Sequence, residues 1–133
     1  MKKTAVISTI GQDQPGIVEN ISNWVHELDL NIDDSRMTVL GGEFAIVMAV
    51  SGHSTALTML EKTLDDKCSD IGLAYLFRLT EGKSTKSLET LRVDVETMDH
   101  PGVVNNVAQF FSGLAVNIRE LQTDSVAAPH TGT

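Results

Sequence analysis

Asp13-Gln14-Pro15-Gly16-Ile17-Val18-Glu19-Asn20-Ile21 returns later in the chain as Asp99-His100-Pro101-Gly102-Val103-Val104-Asn105-Asn106-Val107, a shift of 86 residues. The same shift carries Trp24 and Val25 onto Phe110 and Phe111, Leu28 onto Leu114, Asn31 onto Asn117 and Ile32 onto Ile118, without a gap. Two copies of one structural unit account for this most simply. In the first copy Pro15 follows polar residues and suits a helix start, where a missing N–H costs nothing. Ile17, Ile21, Trp24, Val25 and Leu28 then recur at helical spacing, which predicts a helix from about Pro15 to Leu28.

Working outward, Thr4–Ile10 reads as a strand before that helix and Asn31–Leu40 as a strand after it. Gly41-Gly42 supplies the positive φ angles of a two-residue hairpin turn, and Glu43–Ser51 is apolar enough for an inner strand. Ser54 or Thr55 can cap a second helix with Leu57, Leu60 and Leu64 on one face. Ile71, Leu73, Tyr75, Phe77 and Leu79 then alternate as a fourth strand. The order βαββαβ has a familiar solution, an α+β ferredoxin-like domain whose two helices cover one face of a four-stranded antiparallel sheet. Residues 1–80 are expected to form it, and the polar run 81–87 to be a linker. In 88–133 the same reading finds a strand from about Leu88 to Thr97, a helix from about Pro101 to Leu114 and a strand from about Val116 to Val126. This second unit is an incomplete βαβ, either a piece of a longer protein or a unit completed by association. Its third strand, which would lie between the first and second, is missing.

The 133 residues are 41% hydrophobic, 21% charged and only 5% aromatic, and mean hydropathy is -0.01, a globular composition with an aliphatic core. Net charge is -8, which repels phosphate backbones and anionic membranes and argues against direct nucleic-acid or membrane binding. A single cysteine, Cys68, excludes an intrachain disulfide and fits a reducing compartment. The apolar run after Lys2-Lys3 is too short for a signal peptide or a membrane span, so a cytoplasmic location is expected. His26, His53, His100 and His130 are scattered, with no metal-ligand spacing, and Cys68 follows Asp65-Asp66, which raises its thiol pKa. No catalytic residue, metal or cofactor is expected.

Gly11-Gln12-Asp13-Gln14-Pro15-Gly16, with Leu30-Asn31-Ile32 and the βαββαβ order, resembles the ACT domain, a small-molecule sensing module. Asp13 to Val18 with Asn31 to Arg36 is similar in particular to the tandem-ACT family of glycine cleavage system transcriptional repressors. That resemblance covers the first unit fully and the second about halfway. It implies a non-enzymatic regulator that binds an amino acid, with glycine first in line, and acts through a protein partner. The implied partner is a DNA-binding transcriptional activator, held inactive until glycine accumulates. An amino-acid-sensing subunit or domain of a metabolic enzyme is the alternative. An enzyme in its own right ranks last, since the loop from Gly11 to Gly16 holds no Arg, Lys or His.

A zwitterionic ligand needs donors for its carboxylate and an acceptor for its ammonium. A helix start offers free N–H groups with partial positive charge, at Gly16 and Ile17. Asp13 can accept from the ammonium, and Asn31, expected beside that loop, can donate or accept. Asp99, Gly102, Val103 and Asn117 repeat the set. Each has a plainer reading too: Asp before a helix is a favoured cap, and Asn at a strand start often bonds its own backbone. Finally, Phe44, Ile46, Met48 and Val50 alternate with Ala45, Val47 and Ala49, so both faces of that strand are apolar. Homo-oligomerisation or sheet packing through unit one is expected.

Overall fold

The computed structural model describes residues 1–81 and 89–125. Its first unit runs β1 (Lys2–Gln12), α1 (Ile17–Glu27), β2 (Asn31–Leu40), β3 (Glu43–His53), α2 (Ser54–Asp70) and β4 (Leu73–Thr80). The sheet order is β2-β3-β1-β4, every pair antiparallel, which is the ferredoxin-like arrangement expected from the element order. Ala5 and Ile7 on β1 and Phe44, Ile46, Met48 and Val50 on β3 are buried against Ile17, Ile21 and Val25 of α1 and Leu57, Leu60, Leu64 and Cys68 of α2. The helix stripes and one sheet face therefore share a single aliphatic core, and removing that surface from water is the main force holding the unit together. Trp24 packs at the rim of the core, with the Lys67 ammonium over its ring at 5.8 Å.

The β2–β3 hairpin turns at Gly41-Gly42 as read, both with positive φ. Elsewhere the elements differ from expectation at their ends. β1 and β3 extend through Lys2-Lys3 and Gly52-His53, because ladder hydrogen bonds continue where side chains turn polar. The cap of α2 is neither Ser54 nor Thr55. It is His53, whose Nδ1 accepts from the Thr55 backbone N–H at 3.2 Å and contacts Thr55 Oγ1 at 2.7 Å. On the face away from the helices Val47 of β3 and Leu76 of β4 stay exposed, so the two-sided apolar pattern is real.

The second compact unit, Glu89–Thr133, holds α3 (Val103–Gly113). Its start and end repeat those of α1 closely. Gly102 has φ 92, ψ -1 where Gly16 has φ 90, ψ -1, and Ala115 has φ 57 where Asp29 has φ 58. The 86-residue repeat is thus a repeat of backbone conformation at both helix ends. The flanking segments do not form the expected strands. Residues 89–97 and 116–125 carry no ladder, and Leu91, Val93 and Val95 are exposed. The order seen in unit one gives the reason: the first and second strands are never neighbours, and both lean on the third. Without a third strand among the described residues neither has a partner. The expected linker lies almost wholly outside the described residues, as do Leu88, Val126 and the tail after it.

Candidate functional site

Where β1 ends, the chain crosses the top of the sheet through Asp13, Gln14, Pro15 and Gly16 before entering α1. Two hydrogen bonds fix this loop from opposite sides. The Asp13 backbone N–H donates to the Gly42 carbonyl of the β2–β3 hairpin at 3.0 Å, and Gln14 Nε2 donates to the Ile71 carbonyl of the α2–β4 turn at 2.8 Å. Gly16 then adopts the left-handed conformation that L side chains disfavour. From it the helix starts, with Asn20 N–H bonded to the Gly16 carbonyl at 2.9 Å.

No side chain caps α1, and none caps α3. The capping role open to Asp13 and Asp99 is therefore not taken up. Asp99 instead accepts from Ser125 Oγ at 3.4 Å. The first-turn N–H groups of α1, at Ile17, Val18 and Glu19, have no acceptor within the helix and carry the partial positive charge of the helix start. Beside them lies an open depression of about 290 Å³, lined by Asp13, Gln14, Gly16, Ile17, Val18, Glu19, Met37 and Phe44. Its chemistry is mixed: the carboxylates of Asp13 and Glu19 and the backbone donors of the helix start, together with apolar Met37 and Phe44. That mixture suits a small zwitterion better than an extended apolar ligand.

Of the sequence-predicted residues in unit one, the structure brings Asp13, Gly16 and Ile17 together and leaves Asn31 apart. Asn31 pairs with Ser51, which pairs with Thr4, whereas the loop follows Gln12 at the other end of β1. Eight residues of strand separate the two ends, roughly 26 Å at about 3.3 Å per residue. The expectation that β2 starts beside the β1–α1 loop is corrected accordingly, because the 11 residues of α1 carry the chain from one end of the sheet to the other. In unit two Asp99, Gly102 and Val103 lead into α3 as their counterparts do into α1, while Asn117 falls in the segment without a ladder.

Sequence reasoning missed Gln14, Gly42, Met37 and Asp33. Gln14 is the clamp of the loop, and the one signal was its exchange for His100 in the repeat, where Nδ1 turns to the Pro101 carbonyl at 2.9 Å. Asp33 occupies a β-bulge beside Asn31, which no residue pattern announced. Elsewhere, burial and the nearby Asp65 carboxylate push the Cys68 thiol up to about 11, and the Arg36 guanidinium beside Asp34 holds that carboxyl below its ordinary range. Among the described residues no helix is long and apolar enough to cross a membrane.

The profile of the ACT domain family matches residues 3–78. Over 117 residues, 87% of the chain, the sequence is 33% identical to the glycine cleavage system transcriptional repressor of Escherichia coli (strain K12), covering 62% of that relative. The chain thus spans less than two thirds of the length of the first curated relatives it matches. Among solved structures, an unknown protein from Galdieria sulphuraria is similar with a TM-score of 0.76 at 25% identity, over 99% of this chain and 76% of its own. An ACT domain protein from Streptococcus pneumoniae has a TM-score of 0.53 at 29% identity, over 58% of this chain and 89% of its own.

Proposed function

The chain belongs to the ACT domain family, and from that premise we propose that it is a non-enzymatic, cytoplasmic regulator that binds glycine or another small amino acid and acts by contact with a DNA-binding transcriptional activator. The observation that carries the reading is the uncapped start of α1, opening on the depression beside Asp13. A ligand carboxylate there would take the place of the missing cap, with the Gly16 and Ile17 N–H groups as donors, and the Asp13 carboxylate would accept from the ammonium. The matching start of α3 supports a second site at Asp99, Gly102 and Val103. Similarity to a glycine cleavage repressor supports the choice of glycine and of a transcriptional partner.

Asn31 enters this site from a second copy of the chain. β2 is an edge strand, almost entirely exposed. Pairing it antiparallel with its counterpart sets Asn31 of one copy opposite the Leu40 end of the other, the end at which the hairpin holds the Asp13 loop. The reading therefore calls for a homo-oligomer, and the exposed edge of β2 supports it.

Calorimetric titration of the chain with glycine, serine and alanine tests the reading, with Asp13→Ala and Asn31→Ala as controls. Saturable glycine binding, weakened in both variants, is expected. Binding to none of the three would overturn the amino-acid assignment. Pull-down with the immobilised chain is expected to recover a transcriptional activator in a glycine-dependent manner, and recovery of a metabolic enzyme in its place would replace the transcriptional reading.

A further inference from the structure

We infer that Asp33 is a positioning residue that holds the Asn31 amide with its nitrogen inward and its carbonyl oxygen outward, so that Asn31 takes the ammonium end of an α-amino acid; the ligand half of this rests on the function proposed above.

The ladder between β2 and β3 is regular except between Ile32 and Asp34, where Asp33 is left without a partner on β3. A bulge of this kind re-aims a side chain. Here it brings Asp33 Oδ1 to 2.7 Å from Asn31 Nδ2 and 2.8 Å from Ser51 Oγ. Ser51 is only 3% exposed, so its hydroxyl needs an acceptor inside the protein, and Asp33 supplies it. The carboxylate is thereby anchored from the neighbouring strand and does not swing with solvent.

An ionised carboxylate accepts and cannot donate. The group of Asn31 that faces it must therefore be the NH2, which fixes an assignment that geometry alone leaves ambiguous in an amide. With the nitrogen committed to Asp33, the other branch of the amide, Oδ1, is the acceptor turned outward. An ammonium only donates and a carboxylate only accepts, so this oxygen discriminates between the two ends of a zwitterion. The carboxylate is left to the N–H groups at the start of α1.

The repeat supplies an independent contrast. The shift of 86 that maps Asn31 onto Asn117 maps Asp33 onto Arg119, a side chain that donates and cannot accept. Asn117 therefore has no counterpart of the anchor that orients Asn31, and the two units differ in the polarity they offer a ligand.

The test uses the full chain in two arms. In the first, the Asn31 side-chain amide is followed by 15N NMR without ligand, its signals assigned by their loss in Asn31→Ala. Slow exchange and an unusually wide splitting of the two protons are expected in the parent and in Asp33→Asn, whose Oδ1 can still accept from both neighbours. Collapse to a freely rotating amide is expected in Asp33→Ala. Unchanged Asn31 signals in Asp33→Ala overturn the positioning role. In the second arm, glycine affinity falls about tenfold in Asp33→Ala, in line with loss of one oriented charge-assisted contact, and stays within about threefold in Asp33→Asn. N-acetylglycine, which lacks the ammonium, does not bind. Binding of N-acetylglycine as tight as that of glycine overturns the ligand polarity. Failure of the parent to bind glycine defeats the proposed function instead, and the NMR arm still decides the role of Asp33. If Asp33→Ala does not fold because Ser51 is orphaned, the Asp33→Ala/Ser51→Ala double variant, which also removes the hydroxyl that Asp33 accepted from, takes its place.

Discussion

Replacing Thr9 by valine removes one buried hydroxyl and changes almost nothing else. Thr9 lies on the helix-covered face of β1, 1% exposed, with Ile46 and Tyr75 beside it on the flanking strands. Its Oγ1 is buried and has no hydrogen-bond partner among the described residues. An orphaned polar group of this kind costs about 1–3 kcal/mol, and a methyl in its place regains about 0.8 kcal/mol of transfer free energy. Both residues are β-branched, so rotamer and strand preference hardly change. Fitting a methyl where an oxygen sat offsets part of the gain, leaving a net stabilisation of about 1–2 kcal/mol. The assay is urea unfolding followed by Trp24 fluorescence. Trp24 is the only tryptophan and packs against the unit-one core, so the signal reports that unit. With an m-value of about 1–2 kcal/mol/M, the midpoint should rise by about 1 M at constant slope. Thr9→Ser, which keeps the orphan and loses the methyl, should lower it. A fall of similar size in Thr9→Val would refute the argument, since it would mean that Oγ1 has a partner, such as an internal water, whose loss costs more than burial gains.

Other perturbations separate fold from site. Asp13→Ala should leave the unfolding free energy from urea titration within about 0.5 kcal/mol of the parent, because no cap is lost; a drop of about 1 kcal/mol, the usual cost of losing a cap, would show that Asp13 caps α1 after all. Gly11→Ala should destabilise by about 3 kcal/mol, since a Cβ there would sit 2.7 Å from the Gly72 carbonyl oxygen and from Leu73, and backbone does not yield cheaply. Gly16→Ala meets no atom within 4 Å and should cost only the left-handed backbone strain, about 1–2 kcal/mol, so an order of effects opposite to this would contradict the packing. Cys68 should resist thiol reagents at pH 8 until the chain is unfolded. Its thiol pKa is raised from 9.0 to about 11 in the folded state, so between those values the unfolded chain holds fewer protons and stability falls as pH rises. A Cys68→Ala variant, though less stable overall, should lack that component of the decline, as paired urea titrations at pH 8 and 10 would reveal.

The hairpin was legible residue by residue because Gly41-Gly42 admits few other turns, and the core helices because their apolar spacing leaves one stripe. Strand ends were not, because Lys2 and His53 are held by backbone ladders to which side-chain pattern is blind. His53 escaped notice as a cap because capping preferences point to hydroxyls and carboxylates, while any acceptor at the right place serves. The Asp13 end of the site was visible in the repeat. Its relation to Asn31 was misread, although the length of α1 contained the answer: a helix of that length must return the chain to the far end of the sheet. The strands of unit two failed for a different reason, since alternation marks what can pair and supplies no neighbour.

The double tether of the β1–α1 loop bears on the thermodynamics of recognition. With one end bonded to the Gly42 carbonyl and the other to that of Ile71, the loop is ordered when the domain folds, and a ligand arriving there has little chain left to immobilise. Association at this site should accordingly be fast, and its heat-capacity change should match the small apolar area of the exposed Met37 that a ligand covers, without the added contribution of a folding loop. Cutting the tether with Gln14→Ala would move that ordering step from folding to binding, so that the domain binds the same molecule with a larger entropic penalty.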